Sequence, residues 1–363
     1  MSSLGSPVLP AVRRLPLRAH PRWLLVAGVA LLVAAALAAL GVGAVPIPMR
    51  DIATTLAGAC GWPVRSDASA QAAAVLLGIR LPRVVLGIVA GAGLSAAGAV
   101  LQAVFRNPLA DPMLIGVSSG AALAVTATLV VGTAWMGPAL RALEPFALPV
   151  AGFVGGIAAT SLLYRVATHR GATSLATMLL AGIAINALSF AGIGLLTTVA
   201  TNEQLRNIAF WNFGSLGGAD PMSVAVVAAA VAGALALLLR MAPALNALSI
   251  GEVEARHLGF ATQAVKRDAI ALSALMAGFV VAVCGVIGFV ALVAPHVVRL
   301  IVGADHRVVI PGSAVLGGLL LMGADLLGRT VAAPAELPIG IVTALLGAPF
   351  FLWLLLRDRR AAS

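Results

Sequence analysis

The sequence predicts an all-α, polytopic membrane protein with about ten transmembrane helices. Of its 363 residues, 61% are hydrophobic and only 10% are charged, and the mean hydropathy is +1.06. Apolar runs of roughly 20 residues, the length that a helix needs to cross a bilayer, recur along the whole chain. They leave no room for a soluble domain. Residues 23–363 are therefore expected to form a single transmembrane domain behind a basic tail, residues 1–22.

The first predicted span, Trp23–Val45, follows the arginines of the tail. A secretory signal peptide is the alternative, but its apolar core normally has about 7–15 residues, and this run is longer. Two later runs meet at Gly285 without a polar loop. A break is expected there, because Met276–Val302 exceeds one crossing and contains Pro295. The remaining spans are predicted at Leu81–Phe105, Met113–Ala134, Leu148–Val166, Ser174–Thr198, Met222–Arg240, Asp268–Cys284, Val286–Val302, Val309–Val331 and Leu337–Leu356.

The distribution of basic residues orients the chain. Ten spans place both termini on one side of the membrane, and this topology assigns 16 of the 23 Lys and Arg residues to that side and seven to the other. Because cytoplasmic loops carry the excess of positive charge, both termini are predicted to be cytoplasmic. The net charge of +10 is therefore interpreted as an orientation signal and not as a nucleic-acid-binding surface.

The sequence excludes several kinds of chemistry. Lys266 is the only lysine and Val265 precedes it, so no Walker A loop of the form G-x-x-x-x-G-K-[ST] is present. Any ATP hydrolysis must therefore reside in another subunit. No spacing of Cys or His typical of a metal site occurs, and no catalytic residue or bound cofactor is predicted. Cys60 falls in a loop and Cys284 in a span, so no disulfide is expected.

The segment Ile79–Ala122 holds two spans and a polar hinge between them. Small residues recur at every fourth position of the predicted span Leu81–Phe105, which would let a neighbouring backbone approach closely in lipid. They are Gly87, Gly91 and Ser95. The span breaks at Arg106-Asn107-Pro108, and Asp111-Pro112 is typical of an N-cap followed by proline at the first helical position. Such a break at the membrane edge suits a gate and equally an ordinary helical hairpin.

This segment resembles, position by position, the permease subunits of binding-protein-dependent ABC importers for iron siderophores, haem and cobalamin. These are the FecCD-type or type II importers. The motifs that carry the resemblance are RLPR, GAGLSAAGAVLQ, RNPLADP and GVSSGAA. The resemblance continues almost to the C-terminus. It implies a multi-pass subunit of the bacterial inner membrane that is not an enzyme, with ATP and Mg bound by a partner. The implied partners are a second copy in a homodimer, two copies of a cytoplasmic ABC ATPase, a periplasmic substrate-binding protein, the lipid bilayer and, as cargo, haem or a related chelate.

Three arginines are predicted at outer membrane edges, against the orientation bias: Arg80, Arg83 and Arg329. One alternative is interfacial snorkelling. Another is an ion pair of Arg329 with Asp325, four residues earlier on the same helix. The resemblance implies that arginines at these positions dock carboxylates of the binding protein, a contact that suits the two-pronged guanidinium.

The longest polar interval on the predicted inner side is residues 246–268, and its phrase GEVEARHLG is expected to form a short helix closed by Gly259. A solvated loop is the simpler interpretation. The resemblance implies that this coupling loop, about residues 246–267, contacts the ATPase. The implied contact residues are Gly251, Glu252, Glu254, Ala255, Arg256, Leu258 and Gly259.

The resemblance also implies a cytoplasmic gate, formed by Asn107, Leu109, Thr173 and Ser174. Helix capping is the alternative role of Thr173 and Ser174, and both roles are compatible. On the outer side, Arg206 would attract an anionic ligand in a cavity or pair with Glu203. Asn186 lies mid-span, so it must face protein or the pathway.

The phrase FWNFGSLGGA is similar to the haem-importing branch of the family, so haem is the expected cargo. A ferric siderophore or cobalamin is the alternative within the same class. A more distant alternative is an ion-coupled secondary transporter, which would need a carboxylate buried near mid-membrane. Asp325 is the nearest candidate for such a carboxylate.

Overall fold

The computed structural model describes residues 21–43, 46–62, 69–169, 172–332 and 335–362. Most of the predicted basic tail, residues 1–20, and the predicted end of the first span at Val45 lie outside the described residues.

The described chain is helical almost throughout. Its first helices are α1 (Pro21–Gly41), α2 (Met49–Ala59), α3 (Ala70–Val75), α4 (Leu81–Phe105), α5 (Val117–Ala127), α6 (Thr133–Ala167) and α7 (Leu175–Thr197). The later helices are α8 (Asn202–Phe213), α9 (Pro221–Arg240), α10 (Ala242–Ile250), α11 (Glu252–His257), α12 (Thr262–Cys284), α13 (Val290–Val302), α14 (His306–Val331) and α15 (Ile339–Ala362). The π-helical turns Leu76–Arg80 and Thr128–Gly132 and the 3₁₀ turn Pro112–Ile115 join neighbouring helices. Strands β1 (Thr168–His169) and β2 (Ala172–Thr173) form an antiparallel hairpin in which Thr168 faces Thr173.

The predicted all-α membrane fold is confirmed, because an apolar helix occupies the place of every predicted span. Within the described residues, seven helices are long and apolar enough to cross a membrane, and three further apolar helices are shorter. The shorter ones are Val117–Gly132, Val290–Val302 and Ile339–Trp353. The number of crossings and the side of the termini stay predictions.

Several helix boundaries differ from the prediction. The helix expected to begin at Leu81 begins at Ala70, because Ser69 caps an alanine-rich turn and its side chain accepts a hydrogen bond from Ala72 N at 3.1 Å. Arg80 and Arg83 therefore lie within a long helix and not at its mouth. The connection predicted at residues 135–147 is helical, since α6 extends from Thr133 to Ala167.

The predicted break at Gly285 is confirmed. Helix α12 ends at Cys284, the chain is non-helical for five residues, and α13 begins at Val290. Gly285 has φ +71°, a left-handed conformation that favours glycine. A Cβ atom there would also lie 2.1 Å from the carbonyl oxygen of Trp211.

The core is organised around α4, whose small residues touch the backbones of α13 and α14. A Cβ atom added to Gly91 would lie 2.2 Å from Gly317 O, and one added to Gly98 would lie 2.0 Å from Ala291 O. Ser95, one turn after Gly91, donates from Oγ to a backbone carbonyl at the start of α13. The predicted stripe of small residues is therefore the site of close helix packing.

We expect Gly317→Ala to destabilise the protein by roughly 1–3 kcal/mol, the usual cost of overpacking. The new Cβ would lie 2.0 Å from Ser95 Oγ and 2.3 Å from Gly91 O. Gly323 on the same helix has open space within 4 Å, so Gly323→Ala is the matched control. Thermal unfolding of the detergent-purified variants tests the contact. Equal melting temperatures for the two variants would contradict it.

Candidate functional site

At one end of α4, Arg83 and Arg329 converge on a single carboxylate, Asp325. Arg83 Nε donates to Asp325 Oδ1 at 2.9 Å, and Arg329 Nε lies 2.9 Å from Asp325 Oδ2. Arg83 Nη1 also holds both oxygens of Glu336, at 3.1 and 3.0 Å. The side chain of Asp325 is 6% exposed, whereas that of Glu336 is 54% exposed. We call these four residues the arginine cluster: Arg83, Arg329, Asp325 and Glu336. Its two contacts to Asp325 are buried, and its contact between Arg83 and Glu336 is exposed.

The hydrogen bonds described for Arg80 differ from those of Arg83, because they reach the end of α1 and not Asp325 or Glu336. The Arg80 guanidinium is buried and donates from Nη1 to Leu40 O at 2.7 Å and to Gly41 O at 3.1 Å. These carbonyls end α1 and lack helical partners. Arg80 therefore ties α1 to the helix that contains it, and its predicted docking role stays a prediction.

At the other end of the bundle, the predicted short helix is confirmed as α11, and Gly259 closes it with φ +87°. Its exposed face carries both charge and apolar surface. The exposed residues are Val253, Glu254, Arg256, His257 and Leu258, whereas Ala255 is fully buried. We call residues Gly251–Gly259 the coupling segment. An exposed apolar face flanked by charges is typical of a surface that binds another protein.

Glu252 belongs to the inward face of the coupling segment. Its Oε2 accepts a hydrogen bond from Lys266 Nζ at 2.5 Å, and its Oε1 accepts one from Gln263 Nε2 at 2.8 Å. The side chain of Lys266 is only 3% exposed, so its charge needs this carboxylate. Glu252 thus anchors α11 to the first turns of α12, unlike the outward-facing Glu254.

The predicted gate residues Asn107 and Leu109 lie in the turn after α4. Arg106 ends the helix in a left-handed conformation with φ 50°, and Asn107 Oδ1 accepts from Leu109 N at 2.9 Å. Asp111 accepts from Met113 N at 2.7 Å and caps the following turn, as predicted. Burial raises the pKa of Asp111 to about 6. The turn therefore leaves Leu109 exposed on a locally fixed backbone.

The other two predicted gate residues lie at the end of the β1–β2 hairpin. Thr173 is buried, its Oγ1 lies 3.0 Å from Thr168 Oγ1, and its N donates to Gln263 Oε1 at 3.0 Å. Ser174 Oγ accepts from Thr177 N at 3.3 Å, which confirms its predicted capping of α7. The hydrogen bonds described for Asn107 and Leu109 stay within their own turn, so the two pairs are not joined within this part of the chain.

The two predicted pathway residues have different surroundings. Asn186 Oδ1 accepts from Ser119 Oγ at 2.6 Å, which confirms an interhelical hydrogen bond between α5 and α7. Arg206 is exposed on α8 and is not among the residues that line the nearby cavity of about 300 Å³. Its neighbour in the chain, Asn207, lines that cavity together with Phe210 and Trp211 of the same helix. A cation on this helix could interact with an anionic ligand.

Within the described residues, no group of three or more His, Cys, Asp or Glu side chains could hold a metal ion.

Three further residues were given no individual role from the sequence, although Asn246 and Gln263 lie within the predicted coupling loop, about residues 246–267. Glu336 joins the arginine cluster, Gln263 contacts both Glu252 and Thr173, and Asn246 Nδ2 donates to Asp305 Oδ1 at 2.8 Å. This hydrogen bond from Asn246 holds the pKa of Asp305 below its usual range. Gln263 precedes Lys266 by three residues and so shares a helix face with it, but the sequence does not show that Glu252 turns toward this face.

Comparison with known proteins shows similarity along almost the whole chain. A model described as the FecCD transport family matches residues 31–357. The hemin transport system permease protein HmuU of Yersinia pestis is 42% identical over 346 residues, covering 95% of this chain and 99% of the relative. The cobalamin import system permease protein BtuC of Halobacterium salinarum is 39% identical over 368 residues, covering 93% and 96%.

A solved structure has the same fold. It is described as an inward-facing conformation of a metal-chelate type ABC transporter, and it superimposes with a TM-score of 0.77 at 29% sequence identity. The match covers 92% of this chain and 99% of that chain.

Asp325→Asn is expected to destabilise the protein by roughly 3 kcal/mol or more, because removing one partner of a buried ion pair leaves the other charge uncompensated. Glu336→Gln is the matched control, since its contact with Arg83 is exposed and such pairs are worth about 0–1 kcal/mol. Chemical or thermal unfolding in detergent measures both. If the two variants lost equal amounts of unfolding free energy, Asp325 would not be the residue that holds the arginine cluster together.

Proposed function

The chain belongs to the FecCD transport family, and from this membership we propose that it is the permease subunit of an ATP-driven, binding-protein-dependent importer of haem. The observation that carries the proposal is the 42% identity to the hemin permease HmuU over nearly the full length of both chains. Permease subunits of ABC transporters are not themselves enzymes, and a separate subunit hydrolyses ATP. The chain is a multi-pass protein of the bacterial inner membrane.

Haem is proposed as the cargo on chemical grounds as well. It has a flat apolar body and two propionates, and α8 carries both the exposed Arg206 and the residues Phe210 and Trp211 that line a cavity. A guanidinium is well suited to bind a carboxylate. The similarity to cobalamin permeases keeps cobalamin as the alternative cargo, and a ferric siderophore is a third.

In the proposed assembly two copies of this chain form a homodimer with the pathway on the two-fold axis. Two copies of the ABC ATPase bind the coupling segments on the cytoplasmic side, and a periplasmic binding protein docks at the arginine cluster. The exposed apolar residues Val253 and Leu258 support the first contact. Movement of the coupling segment then opens or closes a constriction at the gate residues, which are Asn107, Leu109, Thr173 and Ser174.

The surroundings of Asp325 argue against the alternative of an ion-coupled transporter. A coupling carboxylate must lose and regain its proton or ion during the cycle. Asp325 instead contacts two arginines at 2.9 Å, and these ion pairs occupy both of its carboxylate oxygens.

Reconstitution tests the proposed function. We expect vesicles that contain this chain and its ATPase to accumulate haem only when both ATP and the loaded binding protein are supplied. Vesicles with a hydrolysis-deficient ATPase are the control, and cyanocobalamin and a ferric siderophore are offered as competing cargoes. Accumulation of cobalamin in place of haem would contradict the proposal that haem is the cargo. If an intact complex took up none of the three compounds in an ATP-dependent way, the proposal that the chain belongs to an importer would be contradicted.

Arg83→Gln is expected to weaken binding of the binding protein about tenfold or more, because hydrogen bonds to charged groups are worth roughly 1.5–3 kcal/mol. The effect should shrink as the salt concentration rises. Arg50→Gln is the control, since Arg50 is an exposed arginine on the same predicted side but outside the cluster. Binding is measured on the complex in nanodiscs. An unchanged dissociation constant for Arg83→Gln would exclude docking at the cluster.

A further inference from the structure

One glutamine side chain bridges the coupling segment and the β1–β2 hairpin, which leads into the predicted gate residues Thr173 and Ser174. Gln263 lies in the first turn of α12, where its Nε2 donates to Glu252 Oε1 at 2.8 Å. Its Oε1 accepts from Thr173 N at 3.0 Å. The two ends of a single carboxamide therefore join α11 to the residue that ends β2.

The contact with α11 is held firmly. Lys266 lies three residues after Gln263, on the same helix face, and contacts the second oxygen of Glu252. Because Lys266 is almost completely buried, separating it from Glu252 would leave an uncompensated charge. Displacement of α11 must therefore either move the start of α12 or break this ion pair.

The contact with the hairpin is equally constrained. The Thr173 hydroxyl lies between Thr168 Oγ1 and Tyr164 OH, at 3.0 and 3.4 Å. The next residue, Ser174, donates from its backbone N to Ala167 O and caps α7 through its side chain. A displacement of the Thr173 backbone is thereby passed to the start of α7.

Only a carboxamide of this length satisfies both neighbours. An amide group has an acceptor oxygen for Thr173 N and a donor nitrogen for the Glu252 carboxylate. A glutamate at this position would still accept from Thr173 N, but it would face Glu252 with a second negative charge. A methionine would fill the same space and make neither hydrogen bond.

We propose that Gln263 is a positioning residue that transmits movement of the coupling segment to the gate residues Thr173 and Ser174. The inference rests on the proposed function, because it assigns a connection between the ATPase contact and the gate of the same importer. If the inference is correct, loss of the Gln263 amide lets the complex hydrolyse ATP while it transports less haem for each ATP.

Loss of the amide tests the connection. Gln263→Glu places two carboxylates against each other, and Gln263→Met fills the same space without either hydrogen bond, while both variants keep Glu252 as the partner of Lys266. Asp268→Asn is the matched control, since this half-exposed residue on the same helix pairs with Arg267 and not with Glu252 or Thr173. Gln263→Met serves if the glutamate variant does not fold.

Two quantities are measured on the permease–ATPase complex in vesicles. The first is the number of haem molecules transported for each ATP hydrolysed. The second is the change on ATP binding in the distance between spin labels at Ala172→Cys in the two protomers, with Cys60→Ser as the background because Cys60 is exposed. Ala172 is an exposed residue of the hairpin, next to Thr173.

For Gln263→Glu or Gln263→Met we expect the transport ratio to fall about fivefold or more, the lower end of typical coupling between sites, and the distance change to be lost. Asp268→Asn should match the wild type in both quantities. A wild-type transport ratio in Gln263→Glu and Gln263→Met would overturn the role of Gln263 without contradicting the proposed importer. Failure of the wild-type complex to transport would overturn both.

Discussion

The contact between the α4 and α14 backbones at Gly91 and Gly317 is the constraint on which the rest of the structure depends. It brings the helix axes close enough for Arg83 to meet Asp325, each about two turns from the contact along its own helix. Toward the other end, Arg299 of α13 binds Gln102 of α4 and donates to Ala99 O at 3.2 Å. Side-chain chemistry at both ends of the bundle therefore depends on small residues at its centre.

The two ends use charge in different ways. In the arginine cluster the buried carboxylate of Asp325 contacts two arginines, whereas Glu336 binds Arg83 from an exposed position. A carboxylate arriving from a partner would therefore compete with Glu336 and leave Asp325 in place. In the coupling segment the buried charge is Lys266, and Glu252 compensates it from the inward face of α11. The outward face is left free for apolar and charged contacts with another protein.

Much of the fold could be predicted, because lengths of apolar sequence and helix-breaking residues are local signals. The break at Gly285, the cap at Asp111 and the stripe through Gly91 are examples. The second span was predicted to begin too late, at Leu81, because Arg80 interrupts the apolar run. The Arg80 guanidinium donates to a carbonyl at the end of α1, so the helix continues through this residue. The bridge through Gln263 could not be predicted. It joins three segments that are distant in sequence, and no pattern shows which face of α11 turns toward α12.

We propose that the arginine cluster and the coupling segment lie on opposite faces of the membrane, held there by α4 and α14. Labelling with a membrane-impermeant thiol reagent tests this placement, with Val253→Cys and Glu336→Cys made separately in a Cys60→Ser background. Both positions are exposed. We expect the reagent to label only the cysteine at position 336 in intact spheroplasts and only the cysteine at position 253 in inverted vesicles. Labelling of position 253 from outside intact spheroplasts would contradict the proposed placement.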